Sequence, residues 1–276
     1  MHFLYVPVQG RVCYSFIALM TCVVLSISSG CGSPDSSWVS RQQSTKIPLA
    51  SGRSSTAQIL LFNGSGTSSS DVSAVESLLS GLRLAYSTAN TNQIEGMSQT
   101  QLEGYQLLIV PGGNSVTIGN SLSTSATTNI HNAVINGGLH YLGVCAGAFF
   151  GGYSKYNGLN LTSGVWFNTY ANNGKGTGKT AIEISYPDGL PQLDQYWQDG
   201  PQLDSWGEIV SKYPDGNSAI VEGTSGKGWV VLSGIHAEAP ASWRTGMKFT
   251  TTVAVDNTYF ETMVLAALNG TVLPHY

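Results

Sequence analysis

Three short apolar runs decide what this chain can fold into. Gln58–Asn63 (QILLFN), Tyr105–Val110 (YQLLIV) and Leu139–Val144 (LHYLGV) are nearly continuous, not alternating. A strand of that kind needs cover on both faces. The stretches between them carry helical spacing. Val72, Val75, Leu78 and Leu79 follow Asp71, which reads as the N-cap of a helix closed by Gly81. Thr127–Asn136 reads as a second helix stopped by Gly137-Gly138, and Leu84–Ser87 as a weak strand. Apolar strands separated by helices predict an α/β fold with a mostly parallel central sheet. The second half reads as β-rich, with strands at Val165–Tyr170, Thr180–Tyr186, Ser218–Glu222 and Gly228–Ser233 and a closing helix over Asp256–Leu268.

Composition narrows the function classes. Of 276 residues only 12 are Lys or Arg and 16 Asp or Glu. That is 10% charged, against about 25% in an ordinary soluble domain. Hydrophobic residues make up 42%, which excludes charge-driven disorder. With a pI of about 5.7 and no Lys/Arg run, no nucleic-acid partner is expected. Residues before Ala57 carry a net charge of +3 and the remainder −7.

The lead-in reads as an export signal. After Arg11, Val12–Ile27 is uncharged and apolar for 16 residues, short of the roughly 20 a membrane span needs. Ser28, Ser29 and Gly30 follow, the small residues of a signal-peptide cleavage region. Residues 1–30 are therefore expected to be a signal peptide. Cys31 comes next, in a pattern that resembles a bacterial lipoprotein signal, so it is the candidate lipidation site and the chain's expected link to a membrane. Ser28 departs from that pattern, which favours an apolar residue there. Cleavage near Ser29 without lipid and an uncleaved anchor are the alternatives. Residues 31–56 hold eight Ser, two Pro and no hydrophobic periodicity. They read as a flexible tether able to reach about 80 Å. Residues 57–276 are the expected folded domain.

Cysteine counting isolates one thiol. Cys13 and Cys22 lie in the apolar signal core and Cys31 at the lipid site, leaving Cys145 alone in the body. A disulfide within the domain and a Cys-rich metal site are excluded. Cys145 sits in Gly143-Val144-Cys145-Ala146-Gly147, after a strand and before helix-competent residues. That is the setting of a nucleophile elbow, with Gly143 and Gly147 making room for the sharp turn. A small buried Cys in a glycine-rich turn is the alternative. Of the histidines, His2 falls in the signal, His275 near the end, His131 in a helix and His140 on the wrong face of the strand leading to Cys145. His236 follows the strand Gly228–Ser233, and Glu238 is placed to hold its ring. A polar surface turn would show the same His-x-Glu. Pro111-Gly112-Gly113 ends another strand. Its backbone N–H groups, with that of Ala146, suit an oxyanion hole or form a plain turn. Thiol chemistry of this kind calls for no metal and no cofactor.

Together these residues carry a resemblance. Strand-Pro-Gly-Gly, then Gly-x-Cys-x-Gly, then His-x-Glu resembles the class I glutamine amidotransferase superfamily. GGLHYLGVCAGAFF (Gly137–Phe150), QYWQDGP (Gln195–Pro201) and SGIHAEAP (Ser233–Pro240) are similar to the biotin-protein ligase N-terminal domain family. The resemblance implies a flavodoxin-like three-layer sandwich. It implies Cys145 as nucleophile, His236 as base and Glu238 as the orienting acid, with the oxyanion hole at Gly113 and Ala146. His-Ala-Glu replaces the family's usual His-Pro-Glu. No ligase or synthase domain is expected in the chain, and export would separate it from cytoplasmic ATP. What survives is the hydrolytic half, acting on a small-molecule or peptide amide, or an ester. The rival is a non-catalytic surface module that binds a ligand, and a third is a chaperone- or protease-like relative sharing the elbow.

Two further patterns stand in the same sequence. Asn173–Thr180 is one residue short of a phosphate-binding loop, but it leads into a strand and not a helix, so a turn is expected. Trp197, Trp206, Trp229 and Trp243 with Tyr196 either line a pocket or fill the core.

Overall fold

A computed structural model describes residues 57–170, 178–187 and 189–276. The signal, the tether, Cys31 and most of the phosphate-loop-like stretch lie outside the described residues. The apolar runs become the centre of a seven-stranded sheet. Its strands are β1 (Ile59–Phe62), β2 (Tyr86–Ala89), β3 (Leu107–Val110), β4 (His140–Val144), β9 (Glu208–Lys212), β10 (Ser218–Ser225) and β11 (Gly228–Ser233). The order is β2-β1-β3-β4-β11-β10-β9. The first five run parallel, and β10 lies antiparallel to both its neighbours. The fold is the flavodoxin-like sandwich, with a mostly parallel sheet and a β-rich second half.

Strand residues alternate between faces. Leu60, Phe62, Leu108, Val110, Tyr141, Val230 and Leu232 share one buried cluster. It is filled by Ile94, Leu102, Ile118, Ile130 and Phe150 from the short helices α2 (Thr91–Glu95), α3 (Gln99–Leu102) and α4 (Ser115–Asn120), from α5 (Thr124–Ile135) and from α6 (Ala146–Gly151). The intervening residues Ile59, Leu61, Leu107, Ile109 and Leu142 are also buried. The long closing helix α7 (Val253–Asn269) meets β4 and β11 and packs against α1 (Ser69–Gly81). Each fully buried aliphatic side chain contributes about 1.5–3 kcal/mol.

Several elements differ from the sequence expectation for local reasons. The N-cap of α1 is Ser68, whose side chain accepts from Asp71 N–H, so Asp71 sits inside the first turn and is itself buried. Strand β2 starts at Tyr86 and not Leu84, because Leu82–Leu84 are spent leaving α1. Leu84 N–H returns to Leu79 O at 3.0 Å, and Arg83 turns at φ 56°. Helix α5 begins at Thr124, three residues early, because Ser123 caps it. Only Asn168–Thr169 (β5) of the expected Val165–Tyr170 strand pairs, with Pro201–Gln202 (β8). Lys179–Ile184 (β6) pairs antiparallel with Leu193–Gln198 (β7), a strand not expected from the sequence.

Candidate active site

Register fixes the stage. Val110 of β3 stands beside Gly143 of β4, and Ser233 of β11 beside Val144. Three parallel neighbours therefore end on one edge and send out Pro111-Gly112-Gly113, Cys145 and His236. Parallel sheets form ligand crevices at this edge.

Cys145 is the turn itself. Its φ of 49° and ψ of −101° lie outside the regions L-residues favour, and its N–H is held by Ser233 O at 2.7 Å. A residue strained this way persists only where its surroundings enforce it. The flanking glycines show how. A Cβ on Gly147 would collide with Val110 O, and one on Gly143 would stand 2.6 Å from the Gly147 carbonyl carbon. Cys145 is 6% exposed and its thiol donates to Gln198 O at 3.5 Å. Ala146 opens α6, where the first N–H groups have no intrahelical acceptor.

Gly113 has φ 148°, and a Cβ there would run into Gly66 O, because the loop before α1 is bonded across it. A Cβ on Gly112 would collide with Asp71 Oδ1 and stand 2.6 Å from His236 Cε1. Gly112 thus lets two polar side chains close over the end of β3, and Gly113 lets the backbone before α1 cross it.

His236 is buried. Its N–H is fixed by Tyr196 O at 2.8 Å, and its ring lies against Tyr196 and Trp243, both with centroids 5.7 Å away. Nδ1 is 2.7 Å from Glu238 Oε1 and 3.1 Å from Asp71 Oδ1. With Nδ1 so occupied, Nε2 is the nitrogen left for a reacting group. Burial by itself would lower the ring's pKa. Glu238 and Cys145, by charge, and Asp71 and Cys145, by hydrogen bonding, reverse this and hold it well above its usual value. Burial raises the Glu238 carboxyl despite His236. Asp71 goes the other way: burial opposes ionisation, but the hydrogen bond and charge of His236 and the Ser68 hydroxyl pull its pKa down.

Asp71, His236 and Glu238 offer ligand-type atoms within 4.8 Å of one another. The 2.7 Å Nδ1–Oε1 spacing is that of a hydrogen bond. Zinc held at 2.0–2.2 Å in tetrahedral geometry would keep such atoms about 3.3–3.6 Å apart. A proton suits the gap better than an ion.

Cys145, His236 and Asp71 face an open cleft of about 920 Å³, with Glu238 buried behind the ring. The β6–β7 hairpin contributes Lys179, Tyr196 and Gln198 to its wall, and Trp243 closes another side. Gly113 and Ala146 line it too. Of the aromatics singled out in the sequence, Tyr196 and Trp243 line the cleft, while Trp197 packs edge-on against Tyr170 and Trp206 against the core. His131 and His140 bond the carbonyls of Leu159 and Ala267, at 2.8 and 2.7 Å, and do not line the cleft. Asp71 is the residue that sequence reasoning missed. Its one signal was its position: an acid in the first turn of the helix that leaves β1, at the same sheet edge as Cys145.

Residues 57–157 match the sequence profile of the family "Biotin-protein ligase, N terminal". His236 and Glu238 lie beyond that match. No curated protein matches the chain. Among solved structures, a cytoplasmic protein from Salmonella typhimurium is 12% identical with a TM-score of 0.45, covering 75% of this chain and 98% of its own. A GMP synthase component from Thermoplasma acidophilum is 11% identical at 0.42, covering 78% and 97%. A β-galactosidase from Halorubrum lacusprofundi is 11% identical at 0.45, covering 78% of this chain. The chain spans only 30% of that enzyme's length. Over residues 57–157, then, the chain is similar to the biotin-protein ligase N-terminal family.

Proposed function

We propose that this domain is a thiol hydrolase of amides or esters, with Cys145 as nucleophile, His236 as acid–base and Glu238 as its orienting partner. One observation carries the reading: the strained Cys145 and a doubly supported His236 leave adjacent parallel strands into one open cleft. The Cys145 sulfur would attack the substrate carbonyl carbon while its proton resides on His236 Nε2. Gly113 and Ala146 N–H groups would bind the tetrahedral oxyanion. Collapse would expel the amine or alkoxide, which takes the proton from Nε2, and leave a thioester. Water would then give a proton to Nε2 and attack the thioester carbon. Release of the acid restores the thiol. The high imidazole pKa supports the acid half of this cycle, because the proton is available for the leaving group at neutral pH.

The lead-in supports an extracytoplasmic setting. Residues 1–30 would direct export, and lipid on Cys31 would hold the domain at a membrane surface through residues 32–56. The mass of the N-terminal peptide of the mature protein tests this. A screen of the purified chain against small amides, amidated peptides and esters tests the chemistry. Turnover that vanishes in Cys145→Ala supports it, and equal turnover in that variant refutes it.

A further inference from the structure

We propose that His236 is positioned by two carboxyls, Asp71 sharing with Glu238 a single negative charge at Nδ1. This rests on the hydrolase reading above and adds a residue to it. Asp71 reaches the ring from the first turn of α1, independently of the His-x-Glu loop. It stands 3.1 Å from Nδ1 and is 5% exposed. The ring nitrogen has one hydrogen to give. Glu238 Oε1 takes it at 2.7 Å. Asp71 Oδ1, 3.1 Å from the same nitrogen, and Glu238 Oε2 are left buried with no hydrogen of their own to accept. Two bare carboxylates this close, out of water, repel strongly, so the pair keeps one proton between them. The opposite displacements of the two acids, Asp71 down and Glu238 up, agree with one ionised and one protonated member. The missing Cβ of Gly112 lets Asp71 reach the ring. A pair of this kind is redundant: remove either acid and the other holds the charge.

The test is a set of variants of the full chain: Asp71→Asn, Glu238→Gln, the double variant and His236→Asn as reference. The rate of Cys145 alkylation by iodoacetamide is followed from pH 5 to 9 by peptide mass spectrometry. Each single variant is expected within about tenfold of the parent, a change worth one pKa unit at most. The double variant is expected at the His236→Asn level. The acid limb of Asp71→Asn should lie at higher pH than that of Glu238→Gln, since Glu238 is the weaker acid; a merely structural role would not order the limbs so. The proposal is overturned if Glu238→Gln alone reaches the His236→Asn level, or if Asp71→Asn alone does. Should the parent and His236→Asn alkylate alike, it is the hydrolase reading that fails. The His236 ring titration by NMR then still decides the pairing. A midpoint that drops only in the double variant supports it, and one that drops fully with either acid removed overturns it.

Discussion

Two buried acid clusters flank the cleft and are built to opposite ends. Around His236, Asp71 and Glu238 face a base that can lose its proton, and each keeps an oxygen without a partner. Behind β7, Asp256 is paired with the buried Arg244. Asp256 also accepts from Thr251 Oγ1 at 3.1 Å, and Asp194 accepts Thr251 N–H at 2.7 Å and Thr250 N–H. Arg244 remains charged at any ordinary pH. The second cluster therefore cannot cycle a proton through its cation. It ties β7, the Trp243 loop and the start of α7 together, and so sets the wall that His236 leans on. The first cluster is under-satisfied and titratable, and it opens on the cleft. A buried charge with a fixed partner holds structure; one with a titratable partner can also do chemistry.

Disrupting each cluster should separate the two roles. His236→Asn is expected to cut Cys145-dependent hydrolysis or alkylation by about 10²–10⁴-fold, the usual share of a general acid–base. It should also flatten the alkaline side of the stability curve. The folded ring's pKa is raised, so its stabilisation is complete below the unfolded value and is lost as pH climbs through the folded one. Urea melts between pH 6 and 10 would show the parent weakening in that range and the variant not. Arg244→Met should instead cost about 3–5 kcal/mol of stability by stranding Asp256, while leaving the pH profile of alkylation in place. Burial already pushes Asp256 up to about 6. Without Arg244 it would go higher, so the loss should shrink in acid, where Asp256 can protonate.

A third buried acid extends the contrast. Glu222 on β10 accepts Leu273 N–H at 2.7 Å and has no cation as its main partner; burial raises it to about 7. Its raised value favours the fold below the unfolded carboxyl pKa, and that advantage is lost as pH rises towards 7. Glu222→Gln is thus expected to stabilise by up to about 3 kcal/mol at pH 8 and by almost nothing at pH 4. Smallest in scale, Gly112→Ala should cost about 1–3 kcal/mol by overpacking. Part of it should appear as slower alkylation, because the new methyl meets Asp71 and His236 directly.

What the sequence showed follows the same division. Strands β1, β3 and β4 were legible because they are buried on both faces and so read as unbroken apolar runs. Gly228–Ser233 was legible to the residue, bounded by a turn at one end and His236 at the other. Strand β7 (LDQYWQ) was not, because Asp194 and Gln195 are buried by partners more than fifty residues away, which hides any strand pattern. Cys145, His236 and Glu238 were visible as strand-end motifs. Asp71 was read as a helix cap, since only the folded chain brings it to His236. The hairpin residues Tyr196 and Gln198, which frame the thiol, were legible within the QYWQDGP motif, and Tyr196 as a pocket candidate, but neither as part of a strand beside Cys145.

Whether the cleft is reactive is decided by labelling Cys145 with a glutamine-mimicking electrophile at pH 6, read by mass spectrometry in native and denatured chain. A reactive cleft predicts labelling in the native state faster than in the denatured one, and its loss in His236→Asn. Labelling of Cys145 only after denaturation would show that the thiol is an inert part of the turn.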